Sequence, residues 1–245
     1  MIEDLVLLKP KFIKISEQGW IESKRNGTTG IGYTFEYLIG KEEESFPIPD
    51  FGTIEIKTRF RNAKTDITLF NVTPDGDYLF PMKRIYEKYS FPSMSDPNFN
   101  VFYANISTKA RHAGKNFKFK LLIDRKNQKI RVIAIDRDWK SYDTKVSWSF
   151  DFLKEKLERK LKYLAIIKAN CKNYNGKQYF HYNQINFYML KDFNTFINLI
   201  ENGMIKTTFM IGVYKTGVKK GQMNSHGVGF DIAESNLEKL FINIC

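Results

Sequence analysis

Residues 48–60, IPDFGTIEIKTRF, decide how the rest of the chain is read. Glu55 and Lys57 alternate with Ile54, Ile56 and Thr58, the period-two pattern of a half-buried strand. Side chains two apart on a strand share a face, about 7 Å from each other. Glu55 and Lys57 therefore point one way, while Ile54 and Ile56 anchor the other. Asp50 follows Pro49 just upstream. Two readings fit this arrangement. One is a surface ion pair. The other is a metal-dependent active site, in which Asp50 adjoins the strand and two carboxylates converge with one ammonium. Such a cluster suits Mg²⁺, which takes oxygen ligands and keeps several waters. Beside a phosphodiester, the ion lowers the pKa of water and offsets developing charge. Lys57 would orient that water or stabilise the five-coordinate phosphorus.

Spacing alone does not choose between them. An acid, any residue and a lysine also occur at Glu22–Lys24, Asp124–Lys126, Asp138–Lys140, Asp143–Lys145 and Glu158–Lys160. Only Glu55–Lys57 adds strand alternation, apolar neighbours on the other face and a Pro-Asp a few residues earlier.

Charge narrows the partner. Thirty-nine basic residues against 27 acidic ones give +12 in 245 residues, with a pI near 9.5. That balance points to a polyanion, with nucleic acid ahead of an anionic membrane surface. An AT-rich genome also inflates Lys, Asn and Ile, so charge by itself is weak. A hydrophobic fraction of 42% can fill a core, and no long stretch is both charged and poor in apolar residues, which argues against disorder. Cys171 and Cys245 make neither a disulfide framework nor a metal site and read as reduced thiols. No apolar run reaches the roughly 18 residues of a membrane span, and the N-terminus lacks a secretion signal. The expectation is a soluble, cytoplasmic protein with no membrane association.

Along the chain, Ile31, Phe35 and Leu38 predict a helix over about 30–40, ended by Gly40, with Glu36 beside its apolar stripe. Glu42 to Glu44 read as a solvated loop. Residues 53–58 and 66–70 read as neighbouring strands, and 71–116 as long loops with one short helix. FKFKLLID-RKNQ-KIRVIAID, from 117, is a hairpin. Ser149 opens a helix through Leu153 and Leu157, and Leu164–Ile167 is a strand covered on both faces. The polar stretch 170–178 suggests a boundary between lobes 1–172 and 173–245. A helix at 193–202, strands at 205–213 and 228–232, and a C-terminal helix follow. The class is α/β or α+β with a mixed sheet.

Two loops are candidate DNA contacts. GTTGIG, residues 27–32, lacks the Gly-Lys-Ser/Thr of a P-loop. Its amides, Thr28 or Thr29, and nearby Arg25 suit a phosphate at a helix start, although an ordinary turn and cap fits as well. YKTGVKKGQMNSHG, residues 214–227, gathers Lys215, Lys219, Lys220 and His226 for phosphate or groove contact. His112 and His181 read as solvated or structural.

At this point the chain becomes recognisable. GWIESKRNGTTGIGYTFEYLIGKEEESFPIPDFGTIEIKTRFR, with ITLF shortly after, resembles the MvaI/BcnI type II restriction endonucleases, relatives of the mismatch-repair nicking enzyme MutH. SWSFDFLKEKLERKLKYLAII and IENGMIKTTFMIGVYKTGVKKG extend the likeness over most of the chain, nearer to MvaI than to BcnI. The resemblance implies an α/β fold with a restriction-endonuclease-like PD-(D/E)XK core, its mixed β-sheet flanked by helices. It also implies two lobes around a DNA cleft, one catalytic and one for recognition. By position, Glu36, Asp50, Glu55 and Lys57 would form the catalytic centre. Asp50, Glu55 and the Ile56 carbonyl would hold Mg²⁺. The implied activity is cleavage of double-stranded DNA by a monomer that nicks each strand in turn at a short pseudosymmetric site of the CCWGG kind. A cognate DNA methyltransferase would accompany it. A MutH-like repair nickase and a non-catalytic DNA-binding module are the alternatives. Asn224-Ser225-His226-Gly227 stands where the family carries His-Asp-x-Gly, and Asp231 where an arginine stands. Both departures bear on the target and leave the chemistry untouched.

Overall fold

The computed structural model describes residues 3–41, 48–76 and 80–244. Helix α1 (Glu3–Glu17) is followed by β1 (Ile21–Glu22), α2 (Gly30–Leu38), β2 (Ile54–Phe60) and β3 (Ile67–Val72). Then come α3 (Phe80–Tyr89), β4 (Phe91–Pro92), β5 (Asn100–Ile106), β6 (Arg111–Ala113), β7 (Phe117–Asp124), β8 (Lys129–Ile135) and β9 (Ser141–Ser149). Helix α4 (Phe150–Leu161) leads into the long strands β10 (Tyr163–Tyr174) and β11 (Lys177–Leu190). Helix α5 (Phe193–Glu201), β12 (Ile205–Val213), β13 (Met223–Ile232), α6 (Leu237–Leu240) and β14 (Phe241–Asn243) complete the order.

Two compact units share these elements, and the chain passes back and forth between them. The first holds Met1–Thr65, Lys156–Lys191 and Leu240–Cys245, and the second Asp66–Glu155 and Asp192–Lys239. The division expected after residue 172 does not coincide with this one. Residues 170–178 are polar because they form the projecting end of the β10–β11 hairpin, which pairs in register through Tyr174↔Lys177. Polar composition at a hairpin tip looks the same in sequence as polar composition at a linker.

The first unit is built on a sheet in the order β1-β11-β10-β2, with β14 also paired to β11. Strand β2 lies parallel to β10, Glu55 opposite Leu164 and Lys57 opposite Ile166, and forms the sheet edge. Its apolar face meets two helices. Leu5, Leu8, Phe12 and Ile15 recur at helical spacing along α1, and Ile31 and Phe35 along α2. All six bury against Ile54, Ile56, Ala165, Ile167 and Phe180. Each such side chain contributes about 1.5–3 kcal/mol when fully buried. Glu3 and Asp4 in the first turn of α1 and Lys14 in its last suit the helix dipole.

The second unit contains a sheet in the order β3-β13-β12-β5-β4 and another in the order β6-β7-β8-β9. Aromatic rings run through it in continuous contact. Phe70 stacks on Phe230 at 5.2 Å, Phe230 meets Trp148 at 5.4 Å, and Phe209, Phe102 and Phe119 continue the series. Helix α5 is capped by Asp192, whose Oδ1 accepts the Thr195 N–H at 2.7 Å.

Several expectations agree with the fold: α2, the β7–β8 hairpin, α4, the buried strand β10, α5 and β12. Others need correction. Strands β2 and β3 are not neighbours, since they belong to different sheets. Residues 71–116 are not only loops and a helix, because β5 lies inside the second sheet, paired to β12. The C-terminal helix is one turn long, and the chain ends on β14 against β11. The Glu42–Glu44 loop lies outside the described residues.

One turn sets the position of Asp50 relative to β2. Phe51 and Ile54 exchange backbone hydrogen bonds at 2.9 and 2.8 Å, closing a tight turn with Gly52 at φ +55°. Asp4, at the start of α1, clamps it: Oδ2 accepts the Thr53 N–H at 2.9 Å and the Thr53 hydroxyl at 2.7 Å. A Cβ on residue 52 would run into the Asp4 carboxylate and sit in a backbone region that L side chains avoid. Gly52→Ala is therefore expected to destabilise the protein by about 1–3 kcal/mol in urea unfolding. A variant as stable as wild type would show that the turn does not constrain the fold.

Candidate active site

Because β2 is an edge strand, one side of its backbone has no strand partner. Ile56 donates its N–H to Asp50 Oδ2 at 2.9 Å, so that amide points to the free edge and not to β10. The N–H and C=O of one strand residue leave the chain on the same side. The Ile56 carbonyl therefore faces the edge where Asp50 lies. The other oxygen of Asp50 accepts from Lys41, which stands just past the end of α2.

Glu55 is 1% exposed, an unusual position for a carboxylate. Its Oε1 accepts from Lys57 Nζ at 2.7 Å and lies 3.4 Å from Lys160 Nζ, at the end of α4. Its Oε2 is buried and, among the described residues, has no hydrogen-bond partner. A buried acceptor left unpaired costs free energy unless some ligand satisfies it. Burial pushes the Glu55 carboxyl up, against the pull of Lys57, with Asp50 adding to the rise. Glu36 is also pushed up, by burial first and by the Asp50 charge second, with Glu55 contributing. Lys41 is raised as well: burial would lower it, but its contact with Asp50 together with the charges of Glu36 and Glu55 outweighs that. Glu36, Asp50, Glu55, Lys41 and Lys57 thus form one electrostatic cluster.

The donors at this edge are hard oxygens: Asp50, Glu55 with its unpartnered Oε2, and the Ile56 carbonyl. That set fits Mg²⁺, which needs few protein ligands and fills its octahedron with water. Among the described residues no group of three or more His, Cys, Asp or Glu side chains could together hold a metal ion. Glu36 therefore stands beside the two-carboxylate site rather than as a third wall of a cage.

The other acid-x-Lys pairs read differently. Glu22 pairs with Lys177 at 2.7 Å, and Asp124 and Asp143 both lie against Arg131. Of all these acids, Glu55 is the one enclosed in the core.

A groove of about 340 Å³ opens at the start of α2, lined by Arg25, Thr28, Thr29, Tyr33, Glu36 and Thr58. The structure so brings three of the predicted DNA contacts together with one predicted catalytic residue. The Arg25 guanidinium lies 3.8 Å from the centre of the Tyr33 ring. Thr29 occupies the N-cap of α2, yet its hydroxyl makes no capping bond. Gly30 is required there, because a Cβ would strike the Arg25 carbonyl and the Ser23 hydroxyl.

Lys215, Lys219 and Lys220 lie in the second unit, in the loop between β12 and β13. Lys215 is 3.5 Å from Asp96, Lys219 lies over the Tyr214 ring at 5.7 Å, and Lys220 is exposed. His226 belongs to β13, and its side chain is outside the described atoms. Asp231, farther along that strand, is buried and accepts from the hydroxyls of Thr68 and Thr208. Sequence reasoning missed Lys41 and Lys160. Neither carried a local signal: Lys160 reaches Glu55 only because it precedes β10 by three residues and β10 pairs with β2.

Comparison with known proteins bears on this arrangement. The model of the MvaI/BcnI restriction endonuclease family matches residues 9–241. The chain is similar to the restriction endonuclease MvaI solved in complex with its cognate DNA substrate, at 36% identity and a TM-score of 0.90. It is similar also to MvaI solved in the absence of DNA, at 35% identity and a TM-score of 0.63. Each alignment covers 100% of this chain and 98% of the other. No curated protein sequence matches. The α/β fold is accordingly of the restriction-endonuclease kind.

The raised Glu36 carboxyl generates a prediction with a definite sign. Its folded-state value is raised, so ionised Glu36 opposes folding at neutral pH, and the cost disappears well below the ordinary carboxylate value, where it is protonated in both states. Glu36→Gln should raise the Tm of metal-free protein at pH 7.5 by about 1–3 °C. That gain should vanish as the pH falls to the ordinary carboxylate range. An equal gain at both ends of the titration would contradict the assignment.

Proposed function

The chain belongs to the MvaI/BcnI restriction endonuclease family, and on that premise we propose a Mg²⁺-dependent enzyme that cuts double-stranded DNA at one short sequence. The activity is that of a type II site-specific deoxyribonuclease. The observation that carries the metal-dependent reading is the buried, unpartnered Glu55 Oε2 beside Asp50 and Lys57. The likeness to an endonuclease solved with its DNA substrate supports duplex DNA as the partner, as does the +12 charge.

Asp50, Glu55 and the Ile56 carbonyl would hold Mg²⁺. Bound there, the ion supplies charge against the negative charge developing on the scissile phosphate and lowers the pKa of water. Lys57, 2.7 Å from Glu55 Oε1, would orient the attacking water and donate to a phosphate oxygen. Glu36 accepts a hydrogen bond from that water. The water oxygen bonds to phosphorus as the bond to the 3′ oxygen breaks, and a proton ends on the leaving oxygen. The products are a 5′-phosphate and a 3′-hydroxyl. Arg25, Thr28 and Thr29 hold the DNA backbone beside the cut.

The first unit carries the chemistry in this reading. Lys215, Lys219, Lys220 and His226 of the second serve recognition. The enzyme acts as a monomer in the cytoplasm, nicking the strands in turn, with a cognate methyltransferase protecting host DNA. Its target is a short pseudosymmetric site related to CCWGG. Asn224–Gly227 and Asp231, where the chain departs from its family's residues, are the positions that would set its target apart from CCWGG.

Lys57→Ala is expected to slow cleavage by about 100- to 1000-fold while leaving DNA affinity in Ca²⁺ within a few-fold of wild type. Wild-type enzyme with Mg²⁺ and unmethylated plasmid should accumulate nicked circles before linear product, with no helper protein. Undiminished cleavage by Lys57→Ala would overturn the site assignment. Plasmid nicked but never linearised would favour a repair nickase, and plasmid uncut in Mg²⁺ a binding module.

A further inference from the structure

Each carboxylate of the proposed metal site holds an ammonium from outside the Glu-x-Lys motif. Lys41 lies on Asp50, and Lys160 lies 3.4 Å from Glu55. With Lys57, these lysines set three positive charges against Glu36, Asp50 and Glu55. The cluster is therefore neutral before any metal arrives. The two added lysines differ in what they occupy. Lys160 shares Glu55 Oε1 with Lys57 and leaves Oε2 open. Lys41 occupies Asp50 Oδ1, while Oδ2 takes the Ile56 N–H. Both oxygens of Asp50 are thus engaged.

A Mg²⁺ ligand oxygen lies about 2.1 Å from the ion, and an ammonium on the same carboxylate would then sit only a few ångströms from a double positive charge. We propose that Lys41 is a built-in counter-ion, holding Asp50 in the metal-free protein and giving way when a divalent cation binds. The inference rests on the metal-site reading of Asp50 and Glu55. The geometry allows the exchange. The Lys41 backbone is fixed by its N–H to the Glu36 carbonyl at 2.9 Å. Its ammonium rides on a flexible four-carbon stem that can swing away while the backbone stays in place. The contact thus keeps two like-charged acids together without metal and sets the concentration at which metal displaces it.

Mg²⁺ titration of DNA-free protein, followed by calorimetry and by thermal unfolding against an EDTA control, tests this without reference to cleavage. Lys41→Met keeps the length and removes the charge. It should lower the Tm in EDTA and lower the half-saturating Mg²⁺ concentration by about three- to tenfold. Lys41→Arg, whose fork grips a carboxylate at two points, should raise half-saturation by about two- to fivefold. If Lys41→Met does not fold in EDTA, the arginine variant still reads the effect. Half-saturation unchanged from wild type in the variants that fold overturns the counter-ion role. A wild-type titration with no Mg²⁺ response that Asp50→Asn removes overturns the metal-site reading itself, and the counter-ion role with it.

Discussion

The hydrogen bond from the Ile56 N–H to Asp50 is the contact on which the site depends. It exists because β2 is an edge strand, so that one row of its amides is left for a partner other than a neighbouring strand. The turn at 51–54 brings Asp50 back onto that row, and Asp4 at the head of α1 holds the turn closed. Glu55, next along the strand, is then fixed beside the same edge with its carboxylate inside the protein. Two acids brought together in a half-dry place repel each other and lose hydration. Three lysines and, in the proposed function, a divalent cation answer that repulsion.

Core and chemistry are divided by strand alternation. Ile54 and Ile56 pack under α1 and α2, while Glu55 and Lys57 leave the other face. Burial of the isoleucines sets the register of β2 against β10, and a slip of one residue would exchange the faces. The position of the carboxylates is therefore as firm as the packing beneath them. The groove at the start of α2 uses the same helix, whose Gly30 lets its first turn approach Ser23 and Arg25 closely. One short helix thereby links Glu36 to the residues that, in the proposed function, hold a phosphate backbone.

Much of this was legible in sequence because it is local. Period-two alternation identified β2, the β7–β8 hairpin and β12, and apolar spacing identified α2 and α4. The neighbourhood of Asp50, Glu55 and Lys57 was legible because Ile56 lies only six positions after Asp50 and one tight turn closes the gap. What failed was non-local. Strand β3 follows β2 closely in sequence yet joins another sheet, a choice made by contacts with β13 that lie some 160 residues away. The two units interleave, so no single boundary could be drawn from composition. Lys41 and Lys160 were missed because nothing in their own neighbourhoods says which carboxylate they will meet. Helix α1 was passed over because apolar residues occur on both its faces, with Val6, Leu7 and Ile13 exposed, and Pro10 interrupts the pattern.

The central claim is that Asp50 and Glu55 share one divalent cation at the edge of β2. Mn²⁺ stands in for Mg²⁺ in the same oxygen ligands and scatters anomalously, so a crystal grown with it would locate the ion directly. The expected result is a single strong anomalous peak within bonding distance of Asp50, Glu55 and the Ile56 carbonyl, with Lys41 moved off Asp50. A map with no peak there, Glu55 Oε2 still unpartnered and the ion held by other residues, would contradict it.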